Sequence, residues 1–230
     1  MREFTFLTLQ PEMVRACLAA GPMAGAVTKG MIATRVLSLR DYAVDRHGSV
    51  DAPPFGGGDG MVLRPEPLAA AVTGMQPRPL VILPDPAGRP WARSDAVRHA
   101  ATNRSLLFIC PRFGGVDQRF VDRYVDEIYS VGDFIVSGGE LPALMMADSI
   151  IRRLPGALGH AESCTQDSFE DAMEGGLEHP QYTRPAEFNG DRVPPVLLSG
   201  DHAAIADWRR QQARQRTRSL RPDLPGGGDS

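Results

Sequence analysis

Lysine is almost absent: Lys29 is the only one in 230 residues, and arginine carries the rest of the basic charge. Codon bias accounts for that preference at most positions, and a formal net charge of −3 excludes a chain coated in basic residues. Cysteine is scarce too. Cys17, Cys110 and Cys164 are odd in number, far apart and in no Cys-x-x-Cys spacing. That excludes a disulfide framework and a zinc ribbon, and it fits a reducing compartment. Five scattered histidines (47, 99, 160, 179 and 202) form no His-Glu-x-x-His and no close pair, so no dedicated metal site is expected. No apolar run approaches the roughly 20 residues of a membrane span. The first residues, MREFTFLTLQPEM, alternate like a strand and lack the apolar centre of a signal peptide. These absences leave a soluble, cytoplasmic protein as the expectation.

What the chain does have is alternation. Residues 4–9, 32–37, 80–83, 106–110 and 131–136 read as short buried strands. Residues 11–20, 66–72, 94–101 (with Ser94 as cap), 117–126 and a stretch from about Pro142 to Pro155 read as helices. Such alternation predicts an α/β fold with a mostly parallel sheet covered by helices. Residues 45–61 read as a long Pro/Gly-rich loop. After Gly159 the composition changes: 160–185 is polar and loop-like, with one short helix. Asp201 then caps a helix over 201–220, with Ala204, Ile205, Trp208 and Gln212 toward a core and arginines at 209, 210, 214, 216 and 218 around the remainder. The tail, PGGGDS, reads as disordered.

Three glycine-bearing turns each follow a strand: LPDPAG (83–88), CPRFGG (110–115) and VSGGE (136–140). The carboxyl ends of strands are where α/β sheets hold ligands. None of the turns matches a dinucleotide or P-loop fingerprint, so a ligand here would be held by backbone amides and carbonyls rather than gripped by its phosphates. Gly138 and Gly139 bring bare backbone close to something, although two glycines alone are better explained by a plain strand-to-helix connection. Asp167 reads most simply as a helix N-cap, and Arg152 and Arg153 as complements of a helix C-terminus. The arginines of 201–220 suit either a solvated face or a phosphate-contact surface. The residues by themselves support a two-part α/β protein with a small-ligand site and a basic helix.

A resemblance adds to this. Residues 112–169, centred on SVGDFIVSGGELPA (130–143), resemble the core of the bacterial tRNA (guanine-N1)-methyltransferases, the TrmD family of the SPOUT superfamily. So do LTLQPEM (7–13), FGGGDGMVLRPEPL (55–68), LPDPAGRP (83–90), HPQYTRP (179–185) and residues 193–224, in order and almost end to end. The resemblance implies a SPOUT-type α/β domain with a deep trefoil knot over 1–160, a linker over 161–170, a small, mainly helical tRNA-binding domain over 171–224 and a disordered tail over 225–230. It also implies a cytoplasmic homodimer, away from membranes, with active sites at the subunit interface. The cosubstrate would be S-adenosyl-L-methionine, enclosed by the three turns. Its expected contacts are Leu83, Pro84, Pro86, Pro111, Gly115, Val131, Gly132, Phe134, Val136, Ser137, Gly138, Gly139, Leu141 and Pro142, and a bulky side chain at Gly138 or Gly139 would stand in its place. Asp167 matches the family's general base, which takes the N1 proton of guanine 37, and Arg152 matches the arginine that stabilises O6. Arg184, Ser199, His202, Arg209 and Arg214 are expected to contact the tRNA. Family members are linked to Mg²⁺, though no classical ligand set is visible here.

The chain departs from the family in places. The usual Cys-Gly-Arg-Tyr-Glu-Gly is here Cys110-Pro111-Arg112-Phe113-Gly114-Gly115, and Val-Asp-Asp-Arg-Pro-Tyr is Val50-Asp51-Ala52-Pro53-Pro54-Phe55. Pro111 removes an N–H and Gly114 a carboxylate. Beside active tRNA methylation, two alternatives therefore stand: a catalytically impaired RNA-binding relative, and a SPOUT RNA methyltransferase with a different target.

Overall fold

The structure, a computed structural model, describes residues 1–158 and 166–225. The chain forms two compact units, Met1–Leu158 and Gly159–Ser230. In the first, the strands are β1 (Glu3–Thr8), β2 (Ala33–Ser38), β3 (Asp51–Ala52), β4 (Val62–Leu63), β5 (Leu80–Pro90), β6 (Leu106–Ile109) and β7 (Glu127–Ser130). Its helices are α1 (Pro11–Leu18), α2 (Gly21–Thr28), α3 (Pro65–Thr73), α4 (Arg93–Ala100), α5 (Gln118–Tyr124) and α6 (Glu140–Ile151). Five strands pair in parallel in the order β2-β1-β6-β5-β7, while β3 and β4 form a small antiparallel pair.

Side chains that alternate along the central strands feed two cores. Phe4, Phe6, Ile82, Leu106 and Phe108 pack against α1, α2, α4 and α6 on one face. Leu7, Val81, Leu83, Leu107 and Ile109 pack against α3 and α5 on the other. A strand buried on both faces must be apolar at nearly every position, which is why β6 reads Leu-Leu-Phe-Ile without alternation.

Several expectations need correction. No strand covers 131–136; the strand is β7, which ends at Ser130, where its partner β5 also ends in the pairing of Pro90 with Ser130. With no neighbour left to pair with, the following segment becomes a loop, and Ile135 is 81% exposed. β5 does not stop at Leu83. It pairs Pro84 with Tyr129 and then Arg89 with Tyr129 again, so the first glycine turn is a bulge inside a longer strand. α4 begins before Ser94: Ala92 is its N-cap, and the Asp95 carboxylate accepts the Ala92 N–H at 3.1 Å. α6 ends at Ile151, before Pro155, and the 45–61 loop contains β3. Helix α2, made of small residues behind a proline, was not expected at all.

One edge of this unit holds a polar cluster under α4. Arg89 forks onto Asp95, and Arg98 onto Glu127 at 2.6 Å. The Tyr129 hydroxyl accepts from Arg89 at 2.8 Å and from Arg98 at 2.5 Å, and donates to Glu127. Trp91 stacks on His99 with centroids 5.6 Å apart. Burial pushes the Glu127 carboxyl up, but the hydrogen bonds from Arg98 and Tyr129 outweigh it and hold the pKa at about 2. Burial, then the charge of Arg98, holds His99 below its usual 6.5. In both cases the unfolded chain binds a proton that the folded chain does not, so stability should fall with pH. The loss begins as pH drops through 6.5, where His99 protonates in the unfolded chain, and continues from 4.5 toward 2 for Glu127. Denaturation midpoints measured against pH should show both limbs, and Glu127→Gln should flatten the lower one. An unchanged lower limb would assign acid sensitivity to other groups.

In the second unit the described residues form short 3-10 turns at Asp171–Met173 and Pro195–Leu198, a hairpin of β8 (Glu187–Phe188) and β9 (Asp191–Arg192), and helix α7 (His202–Leu220). The hairpin closes on Asn189-Gly190, with φ of 53° and 90°, the type I′ geometry that this dipeptide favours. Asp201 caps α7 as expected, accepting the Ala203 and Ala204 N–H groups at 3.0 Å each. Ala204, Ile205, Trp208 and Gln212 are half-buried, Ala213 and Thr217 are buried, and the five arginines are exposed. His160, Cys164, residues 161–165 of the expected linker and 226–230 of the tail lie outside the described residues. Among the described residues, no helix is long and apolar enough to cross a membrane.

Candidate active site

The three turns converge. The β5 bulge, the turn after β6 and the loop after β7 wall a cavity of about 270 Å³ at the carboxyl ends of these strands, comparable with the smaller ligand clefts of proteins, roughly 300 Å³. Because β5 lies between β6 and β7, the chain leaving β7 crosses the end of β5 to reach the turn after β6. There the Gly139 N–H donates to the Pro111 carbonyl at 2.7 Å, and Arg112 bridges to Gly138.

This contact changes the explanation of the paired glycines. A Cβ on Gly139 would lie 2.8 Å from Pro111 N and closer still to its Cδ. A Cβ on Gly138 would lie 2.7 Å from Arg112 Nε and closer still to a Glu140 oxygen. Neighbouring protein alone is thus enough to exclude a side chain at Gly139, whereas at Gly138 the crowding atoms are the ends of the Arg112 and Glu140 side chains; both glycines also line the cavity. The anchor beneath them is Glu140, a buried carboxylate at the first position of α6, where the helix dipole favours negative charge. Thr8 donates to its Oε1 at 2.7 Å, and Arg112 approaches its two oxygens at 3.2 Å each. Sequence reasoning missed this anchor because Thr8 and Glu140 are 132 positions apart. Burial, then Glu140, pushes the Cys110 thiol well above its usual range, so the turn offers no thiolate.

Of the fourteen expected cosubstrate contacts, all but Leu83 and Leu141 line the cavity. Leu83 packs into the core, and Leu141 stands on the exposed side of α6. The lining also includes Asp85, Arg112, Phe113, Gly114, Tyr129, Ser130 and Ile135, which were not foreseen. Arg152 is the C-cap of α6. Asp167, in the second unit, starts a turn rather than a helix, which removes its simplest explanation as an N-cap. The turn is tied down: the Asp167 carbonyl accepts the Glu170 N–H at 3.3 Å, and Phe169 N–H donates to Gly176 O at 2.7 Å. In that same unit Arg209 lines two grooves, one shared with His202 and Arg214 and the other with Arg184. Ser199 binds the Val196 carbonyl at 2.8 Å.

The profile described as tRNA (Guanine-1)-methyltransferase TrmD matches residues 1–226. The chain belongs to this family. A protein of Geobacter sulfurreducens named tRNA (guanine-N(1)-)-methyltransferase is 48% identical over 225 residues, covering 96% of this chain and 90% of the relative. Proteins of the same name from Syntrophotalea carbinolica and Thermosynechococcus vestitus are 46% and 44% identical, over 89% and 93% of their lengths and 96% of this chain. Such relatives are transferases, and the α/β fold with its parallel sheet is what membership in the family requires.

Against the family pattern, Pro111 costs less than expected. Its carbonyl, not its missing N–H, makes the closing hydrogen bond. Gly114 is more constrained. Its N–H donates to Met61 O at 2.7 Å, and a Cβ would lie 2.9 Å from that oxygen. Gly114→Glu should therefore destabilise the unit by roughly 1–3 kcal/mol, as overpacking does, without raising methyl transfer. A thermal melt beside the activity assay checks this, and an unchanged melting temperature would show that the Met61 segment yields. Among the described residues no three His, Cys, Asp or Glu converge, and Asp85, which lines the cavity, accepts the Ala87 N–H at 2.8 Å.

Proposed function

We propose that this chain transfers the methyl group of S-adenosylmethionine to N1 of guanine 37 in tRNA, as a cytoplasmic homodimer. The observation that carries the reading is the cavity walled by three strand-end turns and closed by the bond from Gly139 to Pro111, in a chain matched by the family over nearly its whole length. The bound sulfonium supplies an already activated methyl group. Backbone and apolar walls suit it: Pro84, Pro86, Val131 and Val136 offer apolar surface, and Ser137 to Gly139 offer peptide groups.

The chain's own residues supply the rest. Guanine N1 carries a proton at neutral pH and is a poor nucleophile until that proton leaves. Asp167 accepts it while the N1 lone pair forms the new bond to carbon and the carbon–sulfur bond breaks, leaving a neutral thioether. Charge developing on O6 is met by the Arg152 guanidinium. The threading of the post-β7 loop over β5 supports the trefoil knot. Exposed Phe134, Ile135, Leu141 and Met145, gathered beside the cavity and along α6, support burial against a second subunit. Arg184, Ser199, His202, Arg209 and Arg214 hold the RNA, with 171–224 acting as the tRNA-binding part.

Calorimetry with S-adenosylmethionine, then methyl transfer to tRNA transcripts with and without guanine 37 and mapping of the modified atom, tests the reading. Methyl on another atom or base overturns the target. The loss of a carboxylate at Gly114 favours one rival, a relative that binds RNA without efficient catalysis. Tight tRNA binding with no cosubstrate binding would decide for it.

A further inference from the structure

A second groove, inside the second unit, has walls that catalysis leaves unused. It encloses about 390 Å³ between the 179–186 segment, the Pro195–Leu198 turn and α7. Tyr182 and Trp208 form its aromatic wall, with ring centroids 6.2 Å apart and planes tilted by 55°. The His179 ring lies 6.4 Å from the indole, centroid to centroid. Tyr182 is 49% exposed and Leu198 64%, so this aromatic surface is open rather than sealed as a small core.

The lining of the groove is one-sided in charge: among the described residues no carboxylate lines it, whereas Arg184 and Arg209 do, and Glu178 stands beside His179 at its edge. On α7, Arg210 pairs with Asp207 and Arg214 with Glu174. Arg209 and Arg216, two helical turns apart, have no carboxylate partner among the described residues. Burial, then the charge of Arg209, holds the His179 imidazole below its usual range, with Glu178 pulling the other way and Arg216 adding a smaller lowering. Flat π-surfaces beside unneutralised guanidinium groups match a nucleobase with its flanking phosphates, because every base has a face to stack and every linkage a negative charge.

We propose that this groove takes one unstacked nucleotide of the RNA substrate, its base against Tyr182 and Trp208 and its phosphates on Arg184 and Arg209. The proposal rests on the tRNA reading above and extends it to a nucleotide other than the methylated one.

The test uses the full-length protein and tRNA transcript, with affinity measured by fluorescence anisotropy across a salt series. Tyr182→Ala should weaken binding about tenfold and Tyr182→Phe should preserve it, as stacking requires. Arg209→Gln should weaken binding and reduce the slope of log affinity against log salt by about 0.7, one phosphate contact on a single strand. Cosubstrate affinity and melting temperature, measured alongside, should not change. Wild-type affinity in Tyr182→Ala, or equal losses in the Ala and Phe variants, would overturn the groove assignment while leaving the tRNA reading intact. Failure of the wild-type protein to bind tRNA at all would overturn both.

Discussion

Asp167→Asn should lower the methyl-transfer rate by roughly two to four orders of magnitude, the range a positioned general base contributes, and leave cosubstrate affinity unchanged. The amide keeps the shape of the carboxylate but cannot accept the N1 proton, so the loss should fall on kcat rather than on binding. The turn that carries Asp167 is held through backbone bonds, from Glu170 N–H to its carbonyl and from Phe169 N–H to Gly176. Those two backbone bonds do not involve the carboxylate that the substitution changes. No helix starts at residue 168, so a lost cap cannot account for a large effect. Raising the pH should not rescue the variant, because the deficiency lies in the side chain rather than in its protonation. Near-normal turnover would remove Asp167 as the base and return attention to the carboxylates of the first unit.

How far the fold could be read from sequence depends on which physical constraint acts at each place. β6 was legible because burial on both faces demands continuous apolar residues, and β1 because Phe4 and Phe6 alternate with threonine at the strand period. Phe134, Ile135 and Val136 satisfy the pattern of β6, yet they sit on an exposed loop. Apolar character reports that a surface needs covering, not which partner covers it. The bulge at 85–88 was not legible, since it exists only through the double pairing of Tyr129 with Pro84 and Arg89. The hairpin at Asn189-Gly190 carries a turn signal in that dipeptide, but its two-residue strands are too short to show a period. At the candidate site the three turns could be seen from their glycines, but the reason for those glycines could not. The neighbour that excludes a side chain at Gly139 is Pro111, far away in sequence, and Glu140 beneath it is tied to Thr8 on the first strand.

That neighbour leads to the second large effect. Gly139→Ala should destabilise the first unit by roughly 2–3 kcal/mol or more, because the added carbon meets a ring and a backbone nitrogen rather than the flexible end of a side chain. To relieve the overlap, the 110–115 turn must move away from the start of α6, stretching the 2.7 Å bond from Gly139 N–H to Pro111 O and separating two walls of the cavity. Cosubstrate affinity should therefore fall by about tenfold, the equivalent of one such hydrogen bond lost in a buried setting. Pro111→Gly removes the ring atoms that crowd position 139 but leaves the nitrogen 2.8 Å away. The double variant Pro111→Gly/Gly139→Ala should accordingly recover part of the melting temperature and part of the affinity. If the single variant binds S-adenosylmethionine as the parent does, the Gly139–Pro111 contact does not set the cavity. If the double variant shows no recovery, the damage comes from the backbone nitrogen of residue 111 rather than from the proline ring.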